Sequence, residues 1–237
     1  MIAAAHQPNF FPWMGYFRKI ARSEVFVFLD AVPFGSKGTW INRVKMMVSG
    51  AAQWVICPVA SAHEKRICEI TIVEPSPWRK KLIKTLEMNY GKAACFKEVM
   101  PWIEPMILRQ EENLSRYNIQ NILEICQRLG LHRRFVLHSE LPPGEPHELL
   151  GSERLAAICS QLGAGVYLAG DGADDYEQQT AYDRKGLRLE RLGFVPQPYP
   201  QAGAAGFVAG LSVLDCLFNV GVEATASMLT HDPGAPQ

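Results

Sequence analysis

Two short apolar runs near the start constrain this chain more than any other feature. "MIAAAH" (1–6) stops at a histidine, and "VFVFLD" (25–30) stops at an aspartate. Each is too short for a core helix and too continuous for a strand with one wet face, so each predicts a strand buried on both sides. Between them, "PWMGYFRKIARSE" (12–24) predicts a helix. Pro12 is tolerated in its first turn because the N–H it lacks would be unpaired there. Strand, helix, strand within about thirty residues is the size of a βαβ unit.

The alternation continues along the chain. Residues 44–47 and "QWVICPV" (53–59) predict a hairpin across Ser49-Gly50, and "RICEITIVE" (66–74) predicts a further strand. In "SPWRKKLIKTLEMNYG" (76–91), Trp78, Leu82, Leu86 and Tyr90 recur every four residues and Gly91 stops the helix. Residues 96–131 predict helix, broken near Pro101 and Pro105 because proline removes a ladder bond. Its clearest stripe is Ile119, Ile122, Leu123, Cys126 and Leu129. A strand at 133–141, a helix capped by Ser152, a strand running into "GDGADDY", a helix at 176–187, a short strand from 188 and a final helix over 211–229 complete the reading. This pattern predicts an α/β fold: a mostly parallel sheet flanked by helices, Rossmann-like and doubly wound, with a small hairpin insertion. Residues 1–229 read as a single domain and 230–237 as a disordered tail. Loops that follow the strands then share one sheet edge, where such folds bind ligands.

Composition narrows the function. The formal net charge is zero, which is not the basic footprint of a nucleic-acid binder. The six cysteines, at 57, 68, 95, 126, 159 and 216, are scattered without a C-x-x-C pair or a His/Cys cluster. They predict reduced thiols in a cytoplasmic protein and no metal site. No apolar run approaches the roughly 20 residues of a membrane span, and the N-terminus does not have the pattern of an export signal.

Candidate chemistry concentrates after the strands. His6 leaves the first strand where a helix is about to begin. It serves there either as an acid or base near neutral pH or as a brace for the turn. Gln7 offers a donor and an acceptor, and Trp13 and Tyr16 stand ready to wall a pocket or fill a core. Asp30, at the end of the second strand, either orients His6 or forms a turn. "SKGTWINR" supplies Lys37, Trp40, Asn42 and Arg43, a set suited to a phosphate or carboxylate on a flat or sugar-like body, or to a plain hairpin. In "GDGADDY", Asp171, Asp174 and Asp175 suit helix capping, beside Tyr176, and Asp171 is also a candidate for substrate binding. No Walker A motif, G-x-G-x-x-G or G-x-S-x-G is present.

"HQPNFFPWMGYFRKIARSEVFVFLD", "TWINR", "PWRKKLIKTLEMNYGKAACF", "YLAGDGADDY", "YPQAG" and "LSVLDCLFNVG" occur in this order over nearly the whole chain. Together they resemble the WbqC-like protein family. The chain departs from the family pattern at Asp30-Ala31, where a second acid is usual, and in the Gly/Ala-rich "AGAAGFVAG". The resemblance implies a role in surface-polysaccharide or secondary-metabolite biosynthesis, with transfer of an acyl or aminoacyl group to an amine of a sugar or small molecule. The donor would be a thioester of CoA or of an acyl or aminoacyl carrier protein, with no permanently bound cofactor. It carries His6, Gln7, Pro8, Trp13, Gly15, Tyr16, Asp30, Trp40, Asn42, Arg43, Tyr90, Tyr176 and Asn219 as site candidates. In that scheme His6 takes the amine proton, Asp30 holds the ring, Asn42 and Arg43 grip an oxyanion, and Trp40 and Tyr176 shape the acceptor pocket. Two rivals make different demands. An adenylate-forming enzyme would bind ATP with magnesium, and a scaffold subunit would expose an apolar patch at Phe10, Phe11 and Trp13.

Overall fold

The computed structural model describes residues 1–35, 40–61, 64–74, 76–173 and 178–230. Lys37, Asp174, Asp175, Tyr176 and residues 231–237 lie outside the described residues. In chain order the elements are β1 (Ile2–His6), α1 (Met14–Arg22), β2 (Val25–Phe28), β3 (Arg43–Val48), β4 (Ala51–Ile56), α2 (Trp78–Tyr90), α3 (Phe96–Leu108) and α4 (Leu114–Arg128). Then follow β5 (Arg134–Leu137), α5 (Glu145–Glu148), α6 (Gly151–Gln161), β6 (Val166–Ala169), α7 (Gln179–Asp183), β7 (Arg188–Arg191) and α8 (Val213–Thr230).

Five strands form one parallel sheet in the order β5-β2-β1-β6-β7. β1 is central. The chain builds outward from it through β2 and β5, then returns to build the other half through β6 and β7. This is a doubly wound sheet, and its winding reverses between β1 and β6. Strand periodicity explains the two layers of helix. Ala4, Phe26 and Phe28 face a large core with α1, α2, α3, α4 and α8. Ala3, Ala5, Val25 and Val27 face a smaller one with α6 and α7. β3 and β4 form the expected separate antiparallel hairpin, turning at Ser49 and Gly50.

Several expectations need correction. Residues 66–74 do not form a strand: Ile67–Glu69 is a 3-10 turn, closed by Glu69, which accepts from the Arg66 backbone at 2.8 Å and side chain at 2.8 Å. Ile67, Ile70 and Ile72 still enter the core. α3 runs through Pro101 and Pro105. Both prolines are exposed, so the carbonyls they leave without a ladder partner face water. The opposite face buries Val99, Met100, Ile103, Met106 and Ile107, which holds the helix together. Ser152 does not cap α6. It is the second residue of the helix, and its hydroxyl accepts from the Gln178 amide at 2.9 Å. Thr230 belongs to α8, not to a tail.

α8 is interrupted at Gly221, whose φ of 82° is non-helical. A Cβ there would stand 3.1 Å from Cys95 Sγ, so both backbone and space demand glycine. Among the described helices α8 alone is long and apolar enough to cross a bilayer, and half of that span is buried inside the fold.

Candidate functional site

The β1–α1 turn is held in one shape by contacts distant in sequence. Phe11 adopts a left-handed φ of 39°, costly for an aromatic residue. The strain is fixed because Phe10 and Phe11 are each 1% exposed, packed against each other and against Tyr117. Asn118 Nδ2 donates to the Pro8 carbonyl at 2.9 Å and to that of Ile41 at 2.7 Å. Ser212 Oγ donates to the Phe11 carbonyl at 2.8 Å, and the Val213 amide to the Pro12 carbonyl at 2.8 Å. The patch a scaffold would expose is therefore absent at Phe10 and Phe11.

His6 stands at the C-terminal end of β1. Its ring meets Tyr16 edge-on at 4.8 Å between centroids and Trp13 at 5.8 Å. Its Nδ1 lies 3.1 Å from the Gln7 carbonyl, which also accepts the Tyr16 hydroxyl at 3.0 Å. A proton on Nδ1 satisfies that bond and leaves Nε2 with a bare lone pair. Desolvation, and secondly the Lys19 ammonium, push the imidazole down from 6.5 to about 3. Lys19 itself is buried in α1 and donates to the Ala5 carbonyl at 2.9 Å.

That low value carries a stability consequence. The unfolded chain binds a proton at His6 below 6.5 and the folded chain does not until about 3. Stability is therefore expected to fall as pH drops through this window, by up to about 1.4 kcal/mol per pH unit for one proton. Urea melts at stepped pH on wild type and His6→Ala should differ by this slope. Parallel pH profiles would show that the ring titrates normally in the fold.

Around His6 lies a cavity of about 610 Å³. It opens where the winding reverses: β1 contributes Ala5 and His6, β6 contributes Tyr167, and Gly170 and Asp171 follow β6. Gln7, Trp13, Tyr16, Lys19, Trp40 and Arg154 also line it. A second cavity, of about 350 Å³, adjoins it across Trp13, Asp171 and Phe194, which line both. Its other walls are mainly apolar, among them Met14, Phe207, Val208, Leu211 and Met228.

His6, Gln7, Trp13, Tyr16, Trp40 and Asp171 thus line one cavity. Asp171 acts as a brace: its carboxylate accepts the amides of Gly193 at 2.7 Å and Phe194 at 2.9 Å, which sets the Phe194 ring between the cavities. Trp40 lies with its ring 5.0 Å from that of Trp13.

The others stand elsewhere. Asp30 does not hold the His6 ring. It is 2% exposed, it does not line the cavity, and its two oxygens accept the Ser139 amide at 2.9 Å and hydroxyl at 2.6 Å. The Gln7 carbonyl takes the orienting role instead. Asn42 and Arg43 do not line the cavity either. Asn42 closes the hairpin base through Cys57, and the Arg43 guanidinium lies over Trp54 at 4.4 Å. Tyr90 and Asn219 belong to a buried hub around Asp215. Tyr90 donates to its carboxylate at 2.9 Å, and Asn219 links its backbone carbonyl to the Ala202 amide. Among the described residues no group of three or more His, Cys, Asp or Glu side chains is placed to hold a metal ion.

The sequence reading missed Lys19, Arg154 and Phe194. One signal was available: Lys19 sits within the apolar α1 segment, between Phe17 and Ile20. Gly15 also matters more than expected. A Cβ there would lie 2.8 Å from Trp13 Nε1 and 3.0 Å from Phe194 Cδ1. Gly15→Ala is expected to displace these two shared walls and shift the tryptophan emission, with a stability change within about 1 kcal/mol. Emission spectra beside a urea melt check it, and an unchanged spectrum would show that the walls have not moved.

A protein of Mycobacterium tuberculosis (strain ATCC 25618 / H37Rv), "Uncharacterized protein Rv1507c", is 34% identical over 224 residues, covering 92% of this chain and 93% of its own. No solved structure matches the chain. The profile of the WbqC-like protein family matches residues 7–227, a span that begins one residue after His6 and takes in most of α8, and the chain belongs to that family.

Proposed function

We propose that the chain is a transferase that moves an acyl or aminoacyl group from a thioester donor, CoA or a carrier protein, to an amine of a sugar or other small molecule. It would act in the cytoplasm, in surface-polysaccharide or secondary-metabolite biosynthesis. The observation that carries the reading is the cavity around His6, where Gln7, Lys19 and Arg154 stand among apolar walls to meet an acceptor, with a mainly apolar cavity adjoining it that suits a thioester arm. The acceptor nitrogen attacks the thioester carbonyl carbon, and its proton passes to His6 Nε2. The tetrahedral intermediate then breaks its C–S bond, and the departing thiolate takes that proton back. The products are an amide and a free thiol. Burial first and the Lys19 ammonium second keep the imidazole neutral, and the same two effects disfavour a charged entering amine. An anionic group on the substrate would offset Lys19 and raise the imidazole toward a useful basicity.

The test is a matrix of acyl- and aminoacyl-CoA donors against amino sugars, followed by thiol release and product mass. A product lengthened by the acyl mass with one thiol released supports the reading. Hydrolysis alone, or no thiol with any pair, overturns it.

The doubly wound order favours a second reading, adenylate formation, because such sheets bind nucleotides where the winding reverses. Magnesium-dependent ATP binding by calorimetry, with pyrophosphate release in place of thiol release, would select it.

A further inference from the structure

Arg154 is the side chain in the His6 cavity that nothing so far explains. It lies in the first turn of α6, where the helix dipole disfavours a cation. Its Nε is buried without a hydrogen-bond partner, and the guanidinium is partly withdrawn from water. Desolvation pushes its pKa down, and none of the described carboxylates offsets it. Arg184, which also meets α6, is treated differently: it pairs with Glu153 at 2.5 Å. A cation kept partly dry at a cavity wall costs stability unless an anion joins it.

The surroundings supply the rest of an anion cradle. Gly151, the first residue of α6, lines the same cavity, and no side chain caps that end of the helix. Lys19 enters from the α1 side, and the loop after β6 brings Gly170 and Gly172 to the same wall.

We propose that Arg154, with the N-terminal turn of α6 and Lys19, binds an oxyanion group of the substrate, a phosphate or a carboxylate. A planar guanidinium fork matches either group with two parallel hydrogen bonds. The inference rests on the reading of the His6 cavity as the substrate site, and it relocates the anion grip from the hairpin to α6. It also narrows the substrate class, since a neutral amine or uncharged sugar would leave Arg154 uncompensated.

The experiment measures binding by calorimetry and by the fluorescence of Trp13 and Trp40, which also line the cavity. The probes are inorganic phosphate, pyrophosphate, uridine diphosphate and malonate. Wild type is expected to bind at least one, and Arg154→Gln to weaken that binding tenfold or more with a thermal midpoint at or above that of wild type. Arg154→Lys should recover part of the affinity, and His6→Ala should retain it. Preference for the phosphates over malonate assigns a phosphorylated substrate, and the reverse assigns a carboxylate. Binding of no probe by wild type, or equal affinity in Arg154→Gln, overturns the proposal. The two readings fail separately. Arg154-dependent binding without thioester turnover removes the transfer chemistry and leaves the grip. Turnover untouched by Arg154→Gln removes the grip and leaves the chemistry.

Discussion

His6→Ala is expected to lower thioester-dependent turnover by about 10²–10⁴-fold, the range of a lost general base, while the protein melts near the wild-type temperature at neutral pH. The separation follows from the geometry. The Gln7 carbonyl that accepts His6 Nδ1 keeps the Tyr16 hydroxyl as a second donor, so the substitution leaves no buried acceptor orphaned. The ring's packing is confined to edge contacts with Trp13 and Tyr16 on a cavity wall. What disappears is the neutral imidazole with a free Nε2. His6→Gln supplies a control, since its amide can accept a hydrogen bond but takes no proton at neutral pH. If His6 only positions the acceptor, glutamine should recover most of the rate. If it moves the proton, both variants should fall together. A turnover within tenfold of wild type in both would remove His6 from the chemistry.

The largest stability effect is expected at Asp215. This carboxylate, wholly buried in the first turn of α8, accepts the Tyr90 hydroxyl at 2.9 Å, the Tyr199 hydroxyl at 2.8 Å and Gln201 Nε2 at 2.8 Å. Tyr90 in turn accepts the Met47 amide from β3 at 2.8 Å. Gln201 grips Val208 through both its N–H and its C=O. One side chain therefore ties α2, the hairpin and the 193–212 segment, which forms most of the apolar cavity. Asp215→Ala removes the acceptor of the buried Tyr90 hydroxyl and of the partly buried Tyr199 hydroxyl and Gln201 amide, and is expected to cost about 3–5 kcal/mol. Asp215→Asn keeps one carbonyl oxygen and should cost less, about 1–2 kcal/mol. Burial raises the Asp215 pKa, so a neutral replacement also escapes part of the desolvation penalty. Urea unfolding followed by fluorescence orders the three proteins. An alanine variant within 1 kcal/mol of wild type would show that the hub is already broken by solvent.

How far the sequence reveals this molecule depends on the reach of each signal. β1, α1 and β2 are legible because their apolar runs and Pro12 act within a few residues. The position of His6 at a strand end follows from them. Asp30 is legible as a strand-end acid, but its partner Ser139 is 109 residues away, and no spacing rule links them. Pro101 and Pro105 mislead because the buried face of α3 outweighs two missing ladder bonds. Arg154 looks like any basic residue on an amphipathic helix, and only the sheet order turns that helix end toward His6. Tyr90 and Asn219 are legible as members of the family pattern, yet the pattern cannot say that they support Asp215 instead of touching a ligand.

The β1–α1 turn is closed by the far end of the chain: Ser212 and Val213 bond the Phe11 and Pro12 carbonyls, and Arg18 Nη1 donates to the Leu229 carbonyl at 2.6 Å. During synthesis the first seventeen or so residues leave the ribosome long before these partners exist. A nascent chain halted ahead of Ser212 is expected to leave the segment around His6 open to limited proteolysis, with protection gained only on release of the finished chain. The residues translated first would then be among the last to reach their final form, so even a short C-terminal truncation should read out as a defect at the N-terminal end.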